Sequence, residues 1–213
     1  MKNQQQPLQD LPLDAHPGAV KGESPLLNPA RKASETLWAT WNKLRDAERN
    51  VSDKHKLAPL AQKAVERALS STDKALSALQ KNRDTVDAKI NQTVLLKTPD
   101  ALGFEIRAHF KSAKSPFTEV ATLVRKGDHR SVAAILNAPA YLSGLTNEQH
   151  STLLELAQKQ FCPEETRTLA DIDRAAGRLQ LTAAHITETL APRIKEWTGT
   201  DDKALEDLQN HEK

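Results

Sequence analysis

Histidine, cysteine and carboxylate side chains are the residues of this chain that could hold a metal or perform nucleophilic and acid–base chemistry. The sequence has seven histidines and one cysteine, Cys162. No two histidines are four residues apart, so the helical zinc motif, in which two imidazoles share one helix face, is missing. Cys162 precedes Pro163 and has no histidine close to it in sequence, which favours an inert buried thiol. The sequence therefore predicts no catalytic residues, no metal ligands, no cofactor and no enzymatic activity.

A second group of residues has the chemistry of nucleic-acid binding. Basic side chains and tryptophans are interleaved between residues 31 and 57, where cations could contact phosphates and rings could stack on bases. The candidate contacts are Arg31, Lys32, Lys43, Arg45 and Arg49. Acidic residues dilute this charge, and Trp38 and Trp41 lie on or beside the apolar stripe of a helix predicted from Ser34 to about Leu57. Nucleic-acid binding is therefore an alternative function rather than the leading one.

The elements that carry these residues are predicted to be helices. Aromatic residues are only 4% of the chain, and 213 residues include just 7 glycines. This composition suits close helix packing better than sheets, which favour β-branched and aromatic side chains. We predict an all-α helical bundle with long amphipathic helices. Its predicted parts are an extended N-terminal arm (1–33), a long helical hairpin or coiled-coil-like region (34–97) and a helical bundle domain (98–213).

Two long stretches have heptad spacing. Residues 58–96 give an imperfect lattice, with Leu69, Leu76, Arg83 and Ile90 in one seam and Thr72, Leu79, Val86 and Thr93 in the other. Residues 163–197 give a regular one: Leu169, Ile172, Ala176, Leu179, Ala183, Ile186 and Leu190. Each stretch predicts a partner helix, in the same chain or in another copy. Residues 31–97 have a net charge of +6 and residues 146–213 of −5, which would favour pairing within or between copies.

The first 33 residues combine prolines with leucines. Five prolines disfavour regular helices and strands, whereas a disordered tail usually has fewer leucines. One interpretation is a flexible terminus. The other is an extended arm that docks on a neighbouring surface, with prolines that reduce the entropy lost on docking. The candidate partner-binding leucines of the arm are Leu8, Leu11, Leu13, Leu26 and Leu27.

An apolar loop interrupts the helices at residues 138–145. Pro139 ends the preceding helix, Ser143-Gly144 is a turn signal, and Thr146 with Gln149 forms a capping box for the next helix. The loop should lie on a core, either as a structural clasp or as a recognition tip for a partner. Its candidate contact residues are Pro139, Tyr141, Leu142 and Leu145.

The single cysteine excludes an internal disulfide and favours a reducing compartment. No stretch approaches the roughly 18 apolar residues of a membrane-spanning helix, and the N-terminus lacks the apolar run of a signal peptide. We therefore expect synthesis in the cytoplasm and no membrane partner.

Residues 117–157 carry a resemblance. Gly127-Asp128 and Arg130-Ser131-Val132 precede the sequence AAILNAPAYLSGLT, which a polar helix follows. This segment is similar to small all-helical proteins of tailed bacteriophages that are encoded among the head and assembly genes. The resemblance implies location in the virion, several copies, and contacts with capsid, portal or tail proteins. It transfers no catalytic residues.

The leading expectation is thus a non-enzymatic structural or assembly protein of a phage particle, as a minor head, connector-associated or internal protein. One alternative is a scaffolding protein that is absent from the mature virion. Another is a small nucleic-acid-associated regulator that uses the basic helix of residues 31–57. An enzyme whose site is assembled from scattered histidines and carboxylates is the remaining alternative.

Overall fold

The computed structural model describes residues 7–96 and 99–199, and within these ranges the secondary structure is entirely helical. This confirms the predicted all-α fold. The seven α-helices in this part of the chain are α1 (Asn28–Asn50), α2 (Lys54–Val94), α3 (Asp100–Lys111), α4 (Pro116–Lys126), α5 (His129–Leu136), α6 (Asn147–Phe161) and α7 (Pro163–Thr198). Short 3₁₀ turns occupy Leu13–Ala15, Pro17–Ala19, Pro25–Leu27 and Ala140–Ser143.

The chain divides into two compact units. Unit 1 comprises Met1–Lys81 and Asp171–Lys213, and unit 2 comprises Asn82–Ala170. The sequence-based division at residues 33 and 97 differs from this one, because α2 and α7 each contribute residues to both units. The predicted limits followed composition along the chain, whereas the observed units follow contacts between segments that are far apart in sequence.

The ends of α1 differ from the prediction. The helix begins at Asn28 rather than Ser34, because Pro29 lies in its first turn, where the missing N–H has no helical partner to lose. It ends at Asn50, and Val51 adopts an extended conformation. The next helix, α2, starts at Lys54 and contains Pro59 within its first two turns.

The heptad positions of α2 and α7 face the cores of their units. In α2, Thr72, Leu79 and Val86 are buried as one predicted seam. In the other predicted seam Ile90 is buried, whereas Leu69 and Leu76 are half-buried and the neighbouring Ala68 and Ala75 are buried instead. In α7 the fully buried residues of the predicted pattern are Ile172, Leu179, Ile186 and Leu190. For the other seam of α2 the sequence predicted the larger leucines, but the small alanines one residue earlier are the buried positions. The heptad register of α2 was therefore predicted only in part.

Within each unit, α2 and α7 lie beside each other. In unit 1 a groove is lined by Gln62, Val65 and Glu66 from α2 and by residues 187–198 of α7. In unit 2, Lys89 of α2 forms an ion pair of 2.7 Å with Glu165 of α7. The partner helix that the heptads predict is therefore present in the same chain.

Unit 2 is organised by helix caps, one of which, the pair Thr146 and Gln149, was predicted from the sequence. The Asp128 carboxylate accepts a hydrogen bond from the Ser131 N–H at 3.1 Å, and Gly127 ends α4 with φ of 75°. Thr146 and Gln149 form the predicted capping box of α6. Between these caps, α5 buries five consecutive side chains from Val132 to Leu136, so the short helix is the centre of this unit.

No helix among residues 7–96 and 99–199 combines the length and the apolar character needed to cross a membrane.

Candidate protein-binding surfaces

The N-terminal arm lies on α1 and α7 of its own chain. Leu8, Leu11 and Leu27 are almost fully buried, and Leu26 is half-buried. Leu13 points the other way and is 86% exposed. Of the two interpretations of this segment, a flexible terminus and an arm that docks on a neighbouring surface, the structure agrees with docking, on a surface of unit 1 in the same chain. Of the five candidate leucines, Leu13 is the one whose side chain is open to a partner here.

Backbone groups of the arm are held by side chains of α1. The Trp41 indole N–H donates to the Gln9 carbonyl at 3.0 Å. The Leu8 N–H donates to the Glu48 carboxylate at 2.8 Å. Because Trp41 itself is buried, its N–H needs an acceptor in the folded state. The arm supplies that acceptor, which makes it part of the core of unit 1.

Arginines fix the arm at further points. Arg178 of α7 donates to the carbonyl of Ala19, and Arg31 of α1 donates to the carbonyl of Gly22. Arg45 of α1 pairs with Asp10. Charge-assisted bonds of this kind are stronger than bonds between neutral groups, so they set the register of the arm along the two helices.

One carboxylate joins three segments. Glu48 accepts from Leu8 in the arm and pairs with Arg193 of α7, and both charged side chains are largely buried, with 11% and 14% exposure. Sequence reasoning missed Glu48, Arg178 and Arg193. No local signal marks them, because charged residues beside an apolar stripe are equally typical of a solvated helix face.

Two of the five candidate nucleic-acid contacts bind the N-terminal arm instead of facing solvent. Arg31 and Arg45 bind the arm, whereas Lys32, Lys43 and Arg49 are exposed. Trp41 is buried, and the half-buried Trp38 meets the His16 ring edge-on with centroids 5.0 Å apart. Both tryptophan rings of this segment thus contact other side chains of unit 1, and three exposed cations of the proposed interface remain.

The loop of residues 138–145 packs on the core of unit 2 and leaves two of its side chains exposed. Ala140, Ser143 and Leu145 are buried, and Leu142 is half-buried. Tyr141 is 67% exposed, and Pro139 is exposed as well. Of the four candidate contact residues, Leu145 is therefore part of the core, while Pro139 and Tyr141 lie on the surface.

Backbone hydrogen bonds make this loop a defined structure. The Leu142 N–H donates to the Pro139 carbonyl at 3.0 Å, and the Leu145 N–H donates to the Ala140 carbonyl at 3.1 Å. Gly144 has φ of 70°, and a Cβ there would lie 3.3 Å from the Lys111 Cα in α3. A glycine is needed on both counts. Tyr141 is consequently presented from a fixed backbone.

The buried Ser143 hydroxyl has no hydrogen-bond partner within the described residues. We expect Ser143→Ala to raise the free energy of unfolding by about 1 kcal/mol, because the variant removes an unsatisfied buried polar group and keeps the backbone turn. Urea unfolding followed by circular dichroism measures this change.

Thr146→Ala is the matched variant three residues along. It removes the cap hydrogen bond to the Gln149 N–H and should lower the free energy of unfolding by about 1 kcal/mol. If Ser143→Ala lowered the free energy of unfolding as much as Thr146→Ala does, the Ser143 hydroxyl would have a hydrogen-bond partner after all.

Unit 2 has two further apolar surface features. Phe104 of α3 is 69% exposed. A groove of about 400 Å³ between α4 and α6 is lined by Phe117, Val124 and Leu156, with Arg125 and Lys159 also on its wall. Neither feature was predicted, because an exposed apolar residue has the same sequence signature as a core residue of an amphipathic helix.

Cys162 and His129 are engaged in packing. Cys162 is buried at the start of α7, and the His129 ring stacks on Phe161 with centroids 4.4 Å apart. Burial raises the pKa of the Cys162 thiol. Nearby, the hydrogen bond from Lys89 holds the pKa of the Glu165 carboxyl below its usual value. Across the described ranges, no three histidine, cysteine or carboxylate side chains cluster as a metal site would require.

The thiol should react slowly in the folded protein. Its raised pKa keeps it protonated near neutral pH, and burial blocks access, so a maleimide should label it at least about tenfold more slowly than in urea. The rate should rise as the pH increases toward the thiol pKa. A cysteine at the exposed Ser151, in a Cys162→Ser background, is the control for reagent reactivity; equal rates at both positions would contradict burial.

Comparison with protein-family models, with curated proteins and with solved structures found no match. The similarity of residues 117–157 to tailed-bacteriophage proteins thus stays a prediction.

Proposed function

We propose that this chain is a non-enzymatic assembly protein of a bacteriophage particle that acts through protein–protein contacts. The phage setting comes from the resemblance of residues 117–157. The proposed partners are capsid, portal or tail proteins, and the proposed location is the virion. Multiple copies would be built into the particle.

The observation that carries the binding role is the exposure of Tyr141 on a rigid loop. The buried Ala140, Ser143 and Leu145 fix the backbone on both sides of it. Tyrosine supplies a large contact area at low conformational cost, and it is enriched at protein interfaces. Phe104 is exposed on α3, against which the loop packs. Together they supply apolar and aromatic area for a protein partner.

The basic segment of residues 31–57 favours a protein over a nucleic acid as the partner. Two of the five candidate basic residues are bound to the arm, and the tryptophan rings contact histidines within unit 1. Base stacking would need a free aromatic face beside free cations. A nucleic-acid-associated regulator is therefore the alternative hypothesis, and the experiment must distinguish it from an assembly protein.

The test is affinity capture of the tagged full chain from cells that produce it during phage infection, followed by mass spectrometry. Capsid, portal or tail proteins should be recovered and should withstand high salt, because apolar contacts are weakly screened. Tyr141→Asp with Phe104→Asp should abolish recovery. Ser151→Asp, which places a charge on an exposed position of α6, should leave recovery unchanged.

Each remaining outcome has a separate meaning. Recovery of nucleic acid that is lost steeply as salt rises would replace the proposal with the regulator. Recovery with assembling particles, but absence from purified mature virions, would identify a scaffold. Recovery of virion proteins that is equal for all variants would retain the assembly role but reject the Tyr141 surface.

A further inference from the structure

The arm is bound in the way that a peptide is bound by a receptor. Leu8 and Leu11 are its buried anchors. Its polar contacts run from the arm to side chains of other segments: Gln9 to Trp41, Asp10 to Arg45, and Ala19 to Arg178. We call the α1 and α7 surface that holds residues 7–19 the arm receptor; its polar members are Trp41, Arg45, Glu48 and Arg178.

The segment between the arm and α1 contributes little to this binding. Residues 20–26 contain no buried side chain, and Lys21 and Glu23 are exposed. Gly22 has φ of 107°, a conformation that other residues rarely adopt. The chain changes direction there, and Arg31 binds the Gly22 carbonyl. Residues 7–19 could therefore make the same contacts with the arm receptor of another copy as they make with their own.

An identical arm from another copy would find the same anchors and the same hydrogen-bond partners. Exchange of an identical element between protomers retains its contacts and is a low-cost route to dimers. What decides between the two arrangements is concentration. A short linker such as residues 20–26 gives an effective concentration of about a millimolar, so the arm stays on its own chain in dilute solution.

We propose that residues 7–19 of one copy dock on the arm receptor of a second copy when copies are crowded together, as they are in an assembly. The proposal rests on the proposed assembly function, and it names a partner for that function: a second copy of this chain. The leucine arm then links neighbouring subunits through the contacts seen here within one chain, and Gly22 is the hinge of the exchange.

Cross-linking of two differently substituted full-length chains tests the exchange. One chain carries Asp10→Cys and the other Arg45→Cys, both with Cys162→Ser. They are mixed at about millimolar concentration, comparable with the effective concentration of the linker, and treated with a short bismaleimide. We expect a covalent heterodimer, because Asp10 of one copy then lies beside Arg45 of the other.

Two matched chains make the result decisive. Adding Leu8→Asp and Leu11→Asp to the Asp10→Cys chain removes the anchors, and the heterodimer should be lost. A chain carrying both Asp10→Cys and Arg45→Cys should cross-link internally in dilute solution, which verifies that the arm is docked.

Internal cross-linking without any heterodimer at high concentration would overturn the exchange. So would a heterodimer that survives removal of both leucine anchors, since it would report random encounters. If the heterodimer is absent while capture of virion proteins is retained, the assembly function stands and only the second copy is rejected as the partner.

Discussion

Replacing Trp41 with Ala should lower the free energy of unfolding by about 3–5 kcal/mol. The indole is 2% exposed, so the substitution leaves a large cavity in the core of unit 1. It also leaves the Gln9 carbonyl without the indole donor and removes the ring that faces His185 at 5.7 Å between centroids. Urea unfolding monitored by circular dichroism gives the change.

Trp41→Phe separates the two contributions. It keeps an aromatic ring in the core but has no N–H for Gln9, so we expect a loss of about 1–2 kcal/mol. Trp38→Ala is the control for loss of a tryptophan at a half-buried position. Equal destabilisation by Trp38→Ala and Trp41→Ala would show that Trp41 is not the centre of this core.

Trp41 also holds the N-terminal arm, through the hydrogen bond to Gln9. If the arm is held as described, Trp41→Phe weakens its docking without emptying the core. The yield of the internal cross-link between positions 10 and 45 should therefore fall by more than the loss of global stability alone would produce. The substitution thus links the packing of α1 to the surface on which we propose that subunits are joined.

Local signals in the sequence predicted much of unit 2. Asp128, Thr146 and Gln149 cap helices through hydrogen bonds to residues a few positions away, so the chemistry that positions them is visible in a short window. The limits of α6 and α7 follow from the same signals and from Pro163. Fold class and these boundaries were accessible because short-range physics decides them.

The arm receptor was not accessible in this way. Glu48 pairs with Arg193 across 145 positions of sequence, and Arg178 binds Ala19 across 159. Nothing in a local pattern distinguishes these charges from those of a solvated helix face. The burial of Leu8 and the exposure of Leu13 present the same difficulty, because both leucines lie in one proline-rich segment. Tertiary contacts decide which of them is available to a partner.

Glu48→Ala should destabilise the protein by about 3 kcal/mol, at the lower end of the range for breaking a buried ion pair. The variant removes the carboxylate that pairs with Arg193 and accepts from the Leu8 N–H. We expect the lower end because 11% of the Glu48 side chain and 14% of the Arg193 side chain remain exposed to water. Urea unfolding at two salt concentrations measures the loss, which should change little with salt because the pair is shielded from solvent.

Glu35→Ala is the matched control, since Glu35 is an exposed carboxylate on the same helix; its effect should stay within about 0.5 kcal/mol. Glu48→Gln keeps an acceptor for Leu8 but loses the charge, so its effect should lie between the two. If Glu48→Ala matched Glu35→Ala, the carboxylate would not join the arm to α1 and α7. The arm would then be held by its leucines and by Trp41, Arg45 and Arg178, and exchange between copies would depend on these contacts without Glu48.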